Sequence, residues 1–387
     1  MATTVYKKNV PGPATHALVI GVGHYAHLAG GAGKKKYPNN EGLGQLKSPP
    51  VSAQMMARWL IENYQSQQRP LATVSLLVSE KSPTPFEYHA NGKKKAIKPQ
   101  TATMANVEQA MLDWHAFGNT NPDNLLLFYF CGHGIAAGSE LALLMEDFGA
   151  NAIAPLNGAL DFRGFYRGME ECAAREQCYF LDACRVGSKL LEKNNGAGTR
   201  TPIQWTGNVD NPGGRLRLGP TFHSTLPDQP AYAQPGKPSV FTQALLESLA
   251  GAASGNELGP WEVRTTRLQD ALDFLMLQAS RDLRMPQAQI PSTDNTTKVV
   301  MNTLQTPAVP VVVRVDPEAA LPLATLRCEN ATRKERRTPS AEPWRLSLVP
   351  ASYSFFADID TPDFKSASLL NDPVQPPYWS KPLRVKP

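Results

Sequence analysis

A histidine and a cysteine stand at positions in the sequence where they could act together in nucleophilic catalysis. His133 lies between two glycines in "FYFCGHGIAAG", residues 128–138, and Cys184 follows 51 positions later in "YFLDACRVG", residues 179–187. A cysteine thiol is mostly protonated at neutral pH, and a nearby base or cation makes it a nucleophile by stabilising the thiolate. The pair therefore predicts thiol–imidazole chemistry if the fold brings the two side chains together.

Both residues follow apolar runs that are typical of buried strands. The runs are nearly unbroken, as in strands covered on both faces of a sheet, and they occupy residues 16–22, 73–78, 125–131 and 177–183. Helical patterns alternate with them: Thr103 and Ser239 suit the N-cap positions of two helices, and an apolar helical stripe covers residues 268–279. The alternation predicts an α/β fold with a mainly parallel sheet flanked by helices on both faces.

The predicted sheet gives the histidine and the cysteine a place to meet. In open sheets of this kind, ligands bind outside the carboxyl ends of the strands. His133 and Cys184 directly follow two of the predicted strands, and the glycines beside His133 let the backbone turn sharply there. If those strands are neighbours, both side chains face the same edge of the sheet.

The other cysteines are suited to packing. Cys131 is a rival nucleophile two residues from His133, but its place at the end of an apolar run equally favours burial. Burial is also the interpretation of Cys172, Cys178 and Cys328. The five scattered cysteines form neither a disulfide framework nor the short spacing of a structural zinc site, so we expect no metal site. No cofactor is expected either.

The composition argues against several classes of protein. The formal net charge of +5 is modest, and basic clusters such as Lys34–Lys36 and Lys93–Lys95 lack the interleaved aromatic residues of a nucleic-acid interface. We therefore do not expect binding to nucleic acid. No segment reaches the roughly 18 apolar residues of a membrane span, and the start lacks the apolar core of a signal peptide. A cytoplasmic protein without membrane association is expected.

The composition changes near residue 305. Residues 306–323 are rich in proline, and short β-like runs separated by turn residues follow. This pattern predicts two domains: residues 1–304, which carry the two chemical residues, and a small β-rich domain at residues 305–387, interpreted as a β-sandwich. The second domain either covers an edge of the first or docks a substrate or a regulatory partner.

The two chemical motifs together resemble the paired signature of the caspase-like peptidases, the clan of caspases and metacaspases. "FYFCGHG" and "FLDACRVG" carry the histidine and the cysteine of that signature at the family's spacing. Further segments of the clan are similar to "THALVIGVGHY", "SVFTQALLESL" and "MPQAQIPSTD", so the resemblance covers His16 to about Val300. The chain is identified as a prokaryotic member of this clan.

The resemblance implies a cysteine endopeptidase that hydrolyses protein substrates. Cys184 would be the nucleophile, His133 the general base and acid, and the backbone amides of Gly134 and Cys184 the oxyanion hole. The residue before Gly132 is usually serine in the family and is Cys131 here. A catalytically inactive scaffold or interaction protein that keeps the fold is the alternative. The family's distribution suggests a role in bacterial defence or stress response.

Asp182, two residues before Cys184, is expected to set specificity. On a strand that spacing returns to the same face, so its carboxylate can line the pocket for the side chain before the cleaved bond. The resemblance implies cleavage after Arg or Lys, because metacaspases carry an acid at this place whereas caspases carry glutamine and bind aspartate. An arginine could make a two-pronged contact with Asp182. Metacaspases often supply a second acid where this sequence has Ser52 with Lys47 nearby, so an Asp-specific peptidase is the alternative.

The stretch from Lys189 to Ser239 follows the cysteine motif directly. Its glycines and prolines predict no regular element. Caspase relatives place an activation loop here, and some are cut within it. Arg200, Arg215 and Arg217 are therefore candidate sites of self-cleavage, and an upstream protease is a further candidate activator.

Overall fold

The structure, a computed structural model, describes residues 3–207, 217–257, 259–295 and 297–386. The chain divides into two compact units: the first contains Met1–Leu246 and Leu272–Val299, and the second contains Glu247–Ala271 and Val300–Pro387. The helices are α1 (Ser48–Asn63), α2 (Met104–Gly118), α3 (Phe162–Gly168), α4 (Lys189–Lys193), α5 (Val240–Glu247) and α6 (Thr265–Asp282). No helix among the described residues has the length and apolar character that a membrane crossing requires.

The strands are short and numerous. They are β1 (Thr4–Lys7), β2 (Thr15–Val22), β3 (Leu71–Ser79), β4 (Phe86–Ala90), β5 (Lys93–Ile97), β6 (Leu125–Gly132), β7 (Gly134–Ala137), β8 (Glu140–Leu144), β9 (Ala159–Asp161), β10 (Glu176–Ala183), β11 (Val186–Gly187), β12 (Thr221–His223), β13 (Ser254–Gly255), β14 (Trp261–Arg264), β15 (Ser292–Asp294), β16 (Val300–Leu304), β17 (Val309–Asp316), β18 (Ala324–Glu329), β19 (Lys334–Arg337), β20 (Trp344–Leu348), β21 (Ala351–Ile359), β22 (Ala367–Val374) and β23 (Pro382–Arg384).

The central sheet of the first unit has seven strands among the described residues, in the order β1-β3-β2-β6-β10-β12-β15. The five inner strands are parallel neighbours, while β1 and β15 close the two edges in antiparallel orientation. The four strands predicted from their apolar runs are confirmed as β2, β3, β6 and β10. The fold belongs to the predicted α/β class, with a mixed and mainly parallel sheet.

Helices cover both faces of this sheet. Side chains alternate between the two faces along a strand. On one face of β2, a Cβ atom at Gly21 would lie 2.6 Å from the Cβ of Ala53 in α1, so helix and strand are in direct contact there. On the other face, Leu18 and Ile20 belong to the same hydrophobic core as Val107 of α2. The prediction of helices on both faces is therefore confirmed.

The predicted helix starts are also confirmed. Thr103 is the N-cap of α2, and its hydroxyl accepts a hydrogen bond from the Asn106 N–H at 3.4 Å. Ser239 precedes α5, and its hydroxyl accepts from the Thr242 N–H at 2.9 Å. Such hydroxyls stabilise a helix because they satisfy an N–H group that has no partner inside the helix.

One prediction about the stretch from Lys189 to Ser239 is wrong. This stretch contains α4 and the strand β12, which pairs in parallel with β10 from Tyr179↔Thr221 to Leu181↔His223. β12 has only three residues, too few to show a periodic pattern in a segment rich in glycine and proline. Its hydrogen bonds to β10 extend the sheet beside the strand that carries the cysteine motif.

The second unit contains two sheets that share one hydrophobic core. Their strand orders are β20-β17-β23 and β19-β18-β21-β22. Val311 and Val313 of β17 pack in the same core as Leu326 of β18 and Phe355 of β21. Two sheets that bury their inner faces against each other have the packing of a β-sandwich.

The second unit also contains residues that the sequence placed in the first domain. β14 pairs with β16 in antiparallel orientation, with Val263 opposite Asn302. This pairing joins Glu247–Ala271 to the chain that follows Val300, whereas the sequence suggested one boundary after residue 304. Pairing between strands almost 40 residues apart has no local signal in the sequence.

Candidate active site

His133 and Cys184 leave the central sheet side by side. β6 and β10 are parallel neighbours, and their register places Cys131 opposite Asp182 and Gly132 opposite Ala183. The next residue of each strand is the histidine or the cysteine, so both lie at the carboxyl edge of the sheet. His133, Asp182 and Cys184 line one cavity of about 420 Å³. The two side chains singled out from the sequence are therefore brought to the same cavity.

The imidazole of His133 is held in one tautomer. The residue is 8% exposed, and its Nε2 lies 2.8 Å from the carbonyl oxygen of Gly44. A carbonyl oxygen only accepts, so Nε2 carries the proton and Nδ1 keeps its lone pair. Burial lowers the pKa of His133, and the hydrogen bond to Gly44 opposes that effect. The ring is therefore a neutral base at neutral pH, with Nδ1 as the basic atom.

The thiol of Cys184 is accessible and protonated. Cys184 is partly exposed, whereas the other four cysteines are buried. Its Sγ accepts a hydrogen bond from the Ala231 N–H at 3.1 Å. Burial raises the pKa of Cys184, the Ala231 N–H lowers it, and the Asp182 carboxylate raises it further. With its pKa above the usual value, this thiol depends on a base to become a nucleophile.

Cys131, the rival nucleophile, has a different environment. It is 3% exposed, and its Sγ donates a hydrogen bond to Asp182 Oδ2 at 3.3 Å. Burial raises the pKa of Cys131 well above its usual range, and the neighbouring Asp182 carboxylate adds to this effect. Such a thiol is a weak nucleophile, so the surroundings of Cys131 suit a packing and hydrogen-bonding role.

Two backbone N–H groups are available beside the cysteine. The Leu144 N–H donates to the His133 carbonyl at 3.0 Å. Gly134 and Leu143 therefore lie opposite each other in the β7–β8 ladder without a hydrogen bond between them. The Gly134 N–H therefore points away from β8. In the described part of the chain, the Cys184 N–H donates to no backbone group of another residue. A Cβ atom at Gly134 would lie 2.4 Å from the Cys184 carbonyl oxygen, so only glycine fits here.

Asp182 is buried, and one of its oxygens is fully occupied. Asp182 is 3% exposed. Its Oδ2 accepts hydrogen bonds from Thr242 Oγ1 at 2.8 Å and from Ser239 Oγ. Cys131 Sγ at 3.3 Å and the Tyr129 hydroxyl at 3.4 Å also donate to Oδ2. No described residue donates a hydrogen bond to Oδ1, and Asp182 lines the cavity.

This arrangement changes the contact that Asp182 can make with a ligand. A carboxylate oxygen has two lone pairs, so the donors already present saturate Oδ2. A two-pronged contact with an arginine, as expected from the sequence, needs both oxygens, and only Oδ1 accepts no hydrogen bond from a described residue. Burial raises the pKa of Asp182, while the hydrogen bonds from Ser239 and Thr242 lower it. A cation at Oδ1 would favour the ionised carboxylate further.

Ser52 and Lys47 occupy distinct places near this carboxylate. Ser52 is fully buried in α1, and its hydroxyl accepts a hydrogen bond from the Ser239 N–H at 2.9 Å. It thus helps to hold the residue that binds Asp182. Lys47 is exposed at the start of α1 and lines the same cavity. The cavity therefore has an acidic residue in its wall and a basic residue at its exposed rim.

Several contributors to the site escaped sequence analysis. The Gly44 carbonyl and the Ala231 N–H act through the backbone, which every residue possesses, so residue type gives no signal for them. Thr242 had a weak signal, because it lies three positions after Ser239 at the start of a predicted helix. Among the described residues, no group of three or more His, Cys, Asp or Glu side chains is arranged to hold a metal ion.

Two of the three arginines considered for self-cleavage lie among the described residues, and their surroundings differ. Arg200 is exposed, its N–H donates to the Ala159 carbonyl at 2.8 Å, and its guanidinium pairs with Glu108 at 3.2 Å. The Arg217 guanidinium lies 3.9 Å from the centroid of the Tyr166 ring, and the side chain is 11% exposed. Arg215 falls outside the described residues.

Comparison with known proteins identifies the family. The caspase domain family model matches residues 14–300. An uncharacterized protein of Sinorhizobium fredii, y4kE, is 27% identical over 242 residues, which cover 57% of this chain and 63% of that protein. The match thus spans less than two thirds of that relative's length. The crystal structure of caspase-1 from Spodoptera frugiperda matches with 13% identity and a TM-score of 0.42, over 78% of this chain and 96% of that chain. Because the family model covers most of its residues, the chain belongs to the caspase domain family.

Proposed function

We propose that this protein is a cysteine endopeptidase that cleaves protein substrates after Arg or Lys, with Cys184 as nucleophile and His133 as general base and acid. Membership in the caspase domain family supports cysteine peptidase chemistry in general. One observation carries the specific proposal. His133 and Cys184 leave adjacent parallel strands at the same edge and line one cavity together with Asp182.

In the first step, His133 Nδ1 takes the proton of the Cys184 thiol while Sγ attacks the carbonyl carbon of the substrate. The new S–C bond pushes the carbonyl π electrons onto the oxygen. The imidazolium that forms is stabilised by its Nε2–H, which donates to the Gly44 carbonyl. Because the resting pair is neutral, proton transfer accompanies the attack.

The negative oxygen of the tetrahedral intermediate is assigned to the N–H groups of Gly134 and Cys184. Both groups lie beside the nucleophile. The Gly134 N–H points away from β8, and the Cys184 N–H donates to no backbone group of another described residue. Loss of one such donor in other acyl-transfer enzymes costs about 100-fold in rate or more.

In the second step, the intermediate collapses. His133 gives its proton to the leaving amine, the C–N bond breaks, and the acyl group stays on Cys184 as a thioester. Water then attacks the thioester, and His133 again serves as the base. The C–S bond then breaks, the carboxylic acid product leaves, and His133 gives the proton from that water to the Cys184 sulfur, which restores the thiol.

Specificity is assigned to Asp182. A basic side chain before the cleaved bond would place its charge against Oδ1, the oxygen that no described residue occupies. A hydrogen bond between charged groups contributes about 1.5 to 3 kcal/mol. An aspartate side chain would instead meet a like charge. Lys47 is the observation that favours an Asp-specific peptidase; its exposure keeps the ammonium hydrated at the rim of the cavity.

Peptide hydrolysis tests both parts of the proposal. The wild type and the variants Cys184→Ala, His133→Ala and Cys131→Ala should be given fluorogenic peptides with Arg, Lys or Asp before the cleaved bond. We expect hydrolysis of the Arg and Lys peptides, its loss in Cys184→Ala and His133→Ala, and its retention in Cys131→Ala, the matched cysteine control. Hydrolysis by Cys184→Ala would refute the nucleophile. A preference for Asp that persists in Asp182→Ala would refute the specificity assignment.

The same preference would let the enzyme cut its own chain after Arg200, Arg215 or Arg217. At Arg200 the backbone pairing with Ala159 would first have to open, and at Arg217 the packing against Tyr166. Incubation of the wild type beside Cys184→Ala, followed by mass spectrometry, tests this. We expect new termini after one of these arginines in the wild type alone; identical fragments in Cys184→Ala would point to a contaminating protease.

A further inference from the structure

The backbone of His133 is held by a residue from a distant part of the chain. Glycines on both sides of His133 permit more backbone conformations than other residues would, so contacts with other parts of the chain are needed to fix this turn. The His133 N–H donates to the Tyr25 hydroxyl at 2.7 Å. A Cβ atom at Gly132 would lie 2.9 Å from that hydroxyl oxygen, so the glycine is needed for the approach. Tyr25 thus fixes the turn that carries the imidazole.

Tyr25 also packs against the imidazole itself. The two ring centroids lie 4.8 Å apart, with a tilt of 39° between the ring planes. Tyr25 is 0% exposed, so its ring has no freedom to move away. One side chain therefore contacts His133 at two points, the backbone N–H and the ring.

The segment that follows Tyr25 restrains the other side of the imidazole. The Gln45 side chain accepts from the Tyr25 N–H at 2.9 Å and donates to the Tyr25 carbonyl at 3.0 Å. Gln45 directly follows Gly44, whose carbonyl accepts the His133 Nε2–H at 2.8 Å. Tyr25, Gln45 and Gly44 form one connected unit that holds both ends of the histidine.

We propose that Tyr25 is a positioning residue for His133: it sets the place of the imidazole, so that the Nε2–H reaches the Gly44 carbonyl and Nδ1 is presented to Cys184. The inference rests on the proposed catalytic role of His133. It adds a residue that the sequence motifs leave out, 108 positions upstream of the histidine. Small displacements of a catalytic group can cost up to about 100-fold in rate, so losing this restraint should lower turnover.

Tyr25→Phe tests the proposal, with Tyr88→Phe as the matched control. Tyr88 is 2% exposed and its hydroxyl donates to the Val5 carbonyl at 2.8 Å, so this variant also loses one buried tyrosine hydrogen bond. In Tyr25→Phe we expect kcat for the Arg peptide to fall by about 10- to 100-fold while KM stays within about twofold of the wild type. In Tyr88→Phe, kcat should be unchanged at a comparable thermal stability.

Nitrogen-15 NMR of histidine-labelled protein provides a readout that does not need turnover. In the wild type, the His133 signals, assigned with His133→Gln, should report a single tautomer with the proton on Nε2. In Tyr25→Phe the proton should be shared between the two nitrogens, and Tyr88→Phe should match the wild type. Unchanged His133 signals in Tyr25→Phe, or equal kcat losses in the two tyrosine variants, would overturn the inference.

The two proposals fail in distinguishable ways. A wild type that cleaves none of the peptides, but whose His133 tautomer depends on Tyr25, would refute the proposed function and support the positioning role. If Tyr25→Phe does not fold, Gln45→Met replaces it, because Gln45 is partly exposed and its side chain holds the Tyr25 backbone. A shift of the His133 signals in that variant supports the inference, and their constancy overturns it.

Discussion

Replacing Asp182 with asparagine separates the charge of this residue from its shape. Oδ2 accepts from Ser239 and Thr242, and an asparagine can keep those hydrogen bonds only by placing its amide oxygen there. Its NH2 group then takes the place of Oδ1. A basic substrate side chain would lose a charged acceptor and meet a donor instead. Asp182→Asn should therefore impair binding of basic side chains while leaving the hydrogen bonds that anchor the residue.

The size of this effect follows from the single open oxygen. One hydrogen bond between charged groups contributes about 1.5 to 3 kcal/mol. At about 1.36 kcal/mol for each tenfold change in rate, this corresponds to about 10- to 150-fold in kcat/KM. A two-pronged contact would add a second such bond, so a much larger loss would indicate that both oxygens reach the substrate.

The assay compares peptides with arginine or citrulline, its uncharged isostere, before the cleaved bond. The kcat/KM of the wild type should be about 10- to 150-fold higher for the arginine peptide than for the citrulline peptide. In Asp182→Asn this ratio should be near one. Asp113→Asn is the control, since Asp113 accepts from Gln109 on the outer surface of α2, away from the cavity. An arginine-to-citrulline ratio that is the same in Asp182→Asn and in the wild type would refute the assignment of Asp182.

Three further predictions concern the same site. Because burial raises the pKa of Cys184, alkylation by iodoacetamide, followed by mass spectrometry, should accelerate steeply only above pH 9; equally fast alkylation at pH 7 would indicate a preformed thiolate. Burial lowers the pKa of His133, so the contribution of the neutral His133 ring to the free energy of unfolding should be complete above pH 6.5 and decline as the pH falls below that value. Urea unfolding at several pH values, compared with His133→Gln, measures this contribution. The opposite trend would mean that the ring is held charged. Thr242→Val removes a donor to Asp182 and should lower the free energy of unfolding at neutral pH by about 1 to 3 kcal/mol; unchanged urea unfolding would contradict that hydrogen bond.

The sequence predicted the parts of the fold that have a strong local pattern. β2, β6 and β10 are long apolar runs, and their burial on both faces made them recognisable. The caps of α2 and α5 follow from the chemistry of Thr103 and Ser239. β1 and β12 have four and three residues, and they exist because a neighbouring strand offers hydrogen-bonding groups. Elements of that kind depend on tertiary pairing and leave no periodicity to detect.

The candidate site also contains residues that the sequence predicted and contacts that it did not. His133 and Cys184 were predictable because each follows a strand directly, and parallel neighbours bring their carboxyl ends together. Asp182 was predictable as a wall residue, yet the occupation of its Oδ2 was not, since the donors come from α5 and β6. Tyr25 contacts His133 across 108 positions of sequence, and a buried tyrosine at the end of an apolar run looks like any other core residue.

Two of the stretches of chain that line the cavity are joined by a long connection. One stretch ends with Asp182 on β10 and Cys184 directly after it, and the other begins with β12 and continues to Thr242. Hydrogen bonds from Ala231 to Cys184 and from Thr242 to Asp182 hold the two together, as does the ladder between β10 and β12. None of these contacts needs an intact peptide backbone between residues 189 and 220. We expect a chain cut between these residues to keep the pairing of β10 with β12, so that its two pieces separate only in denaturant.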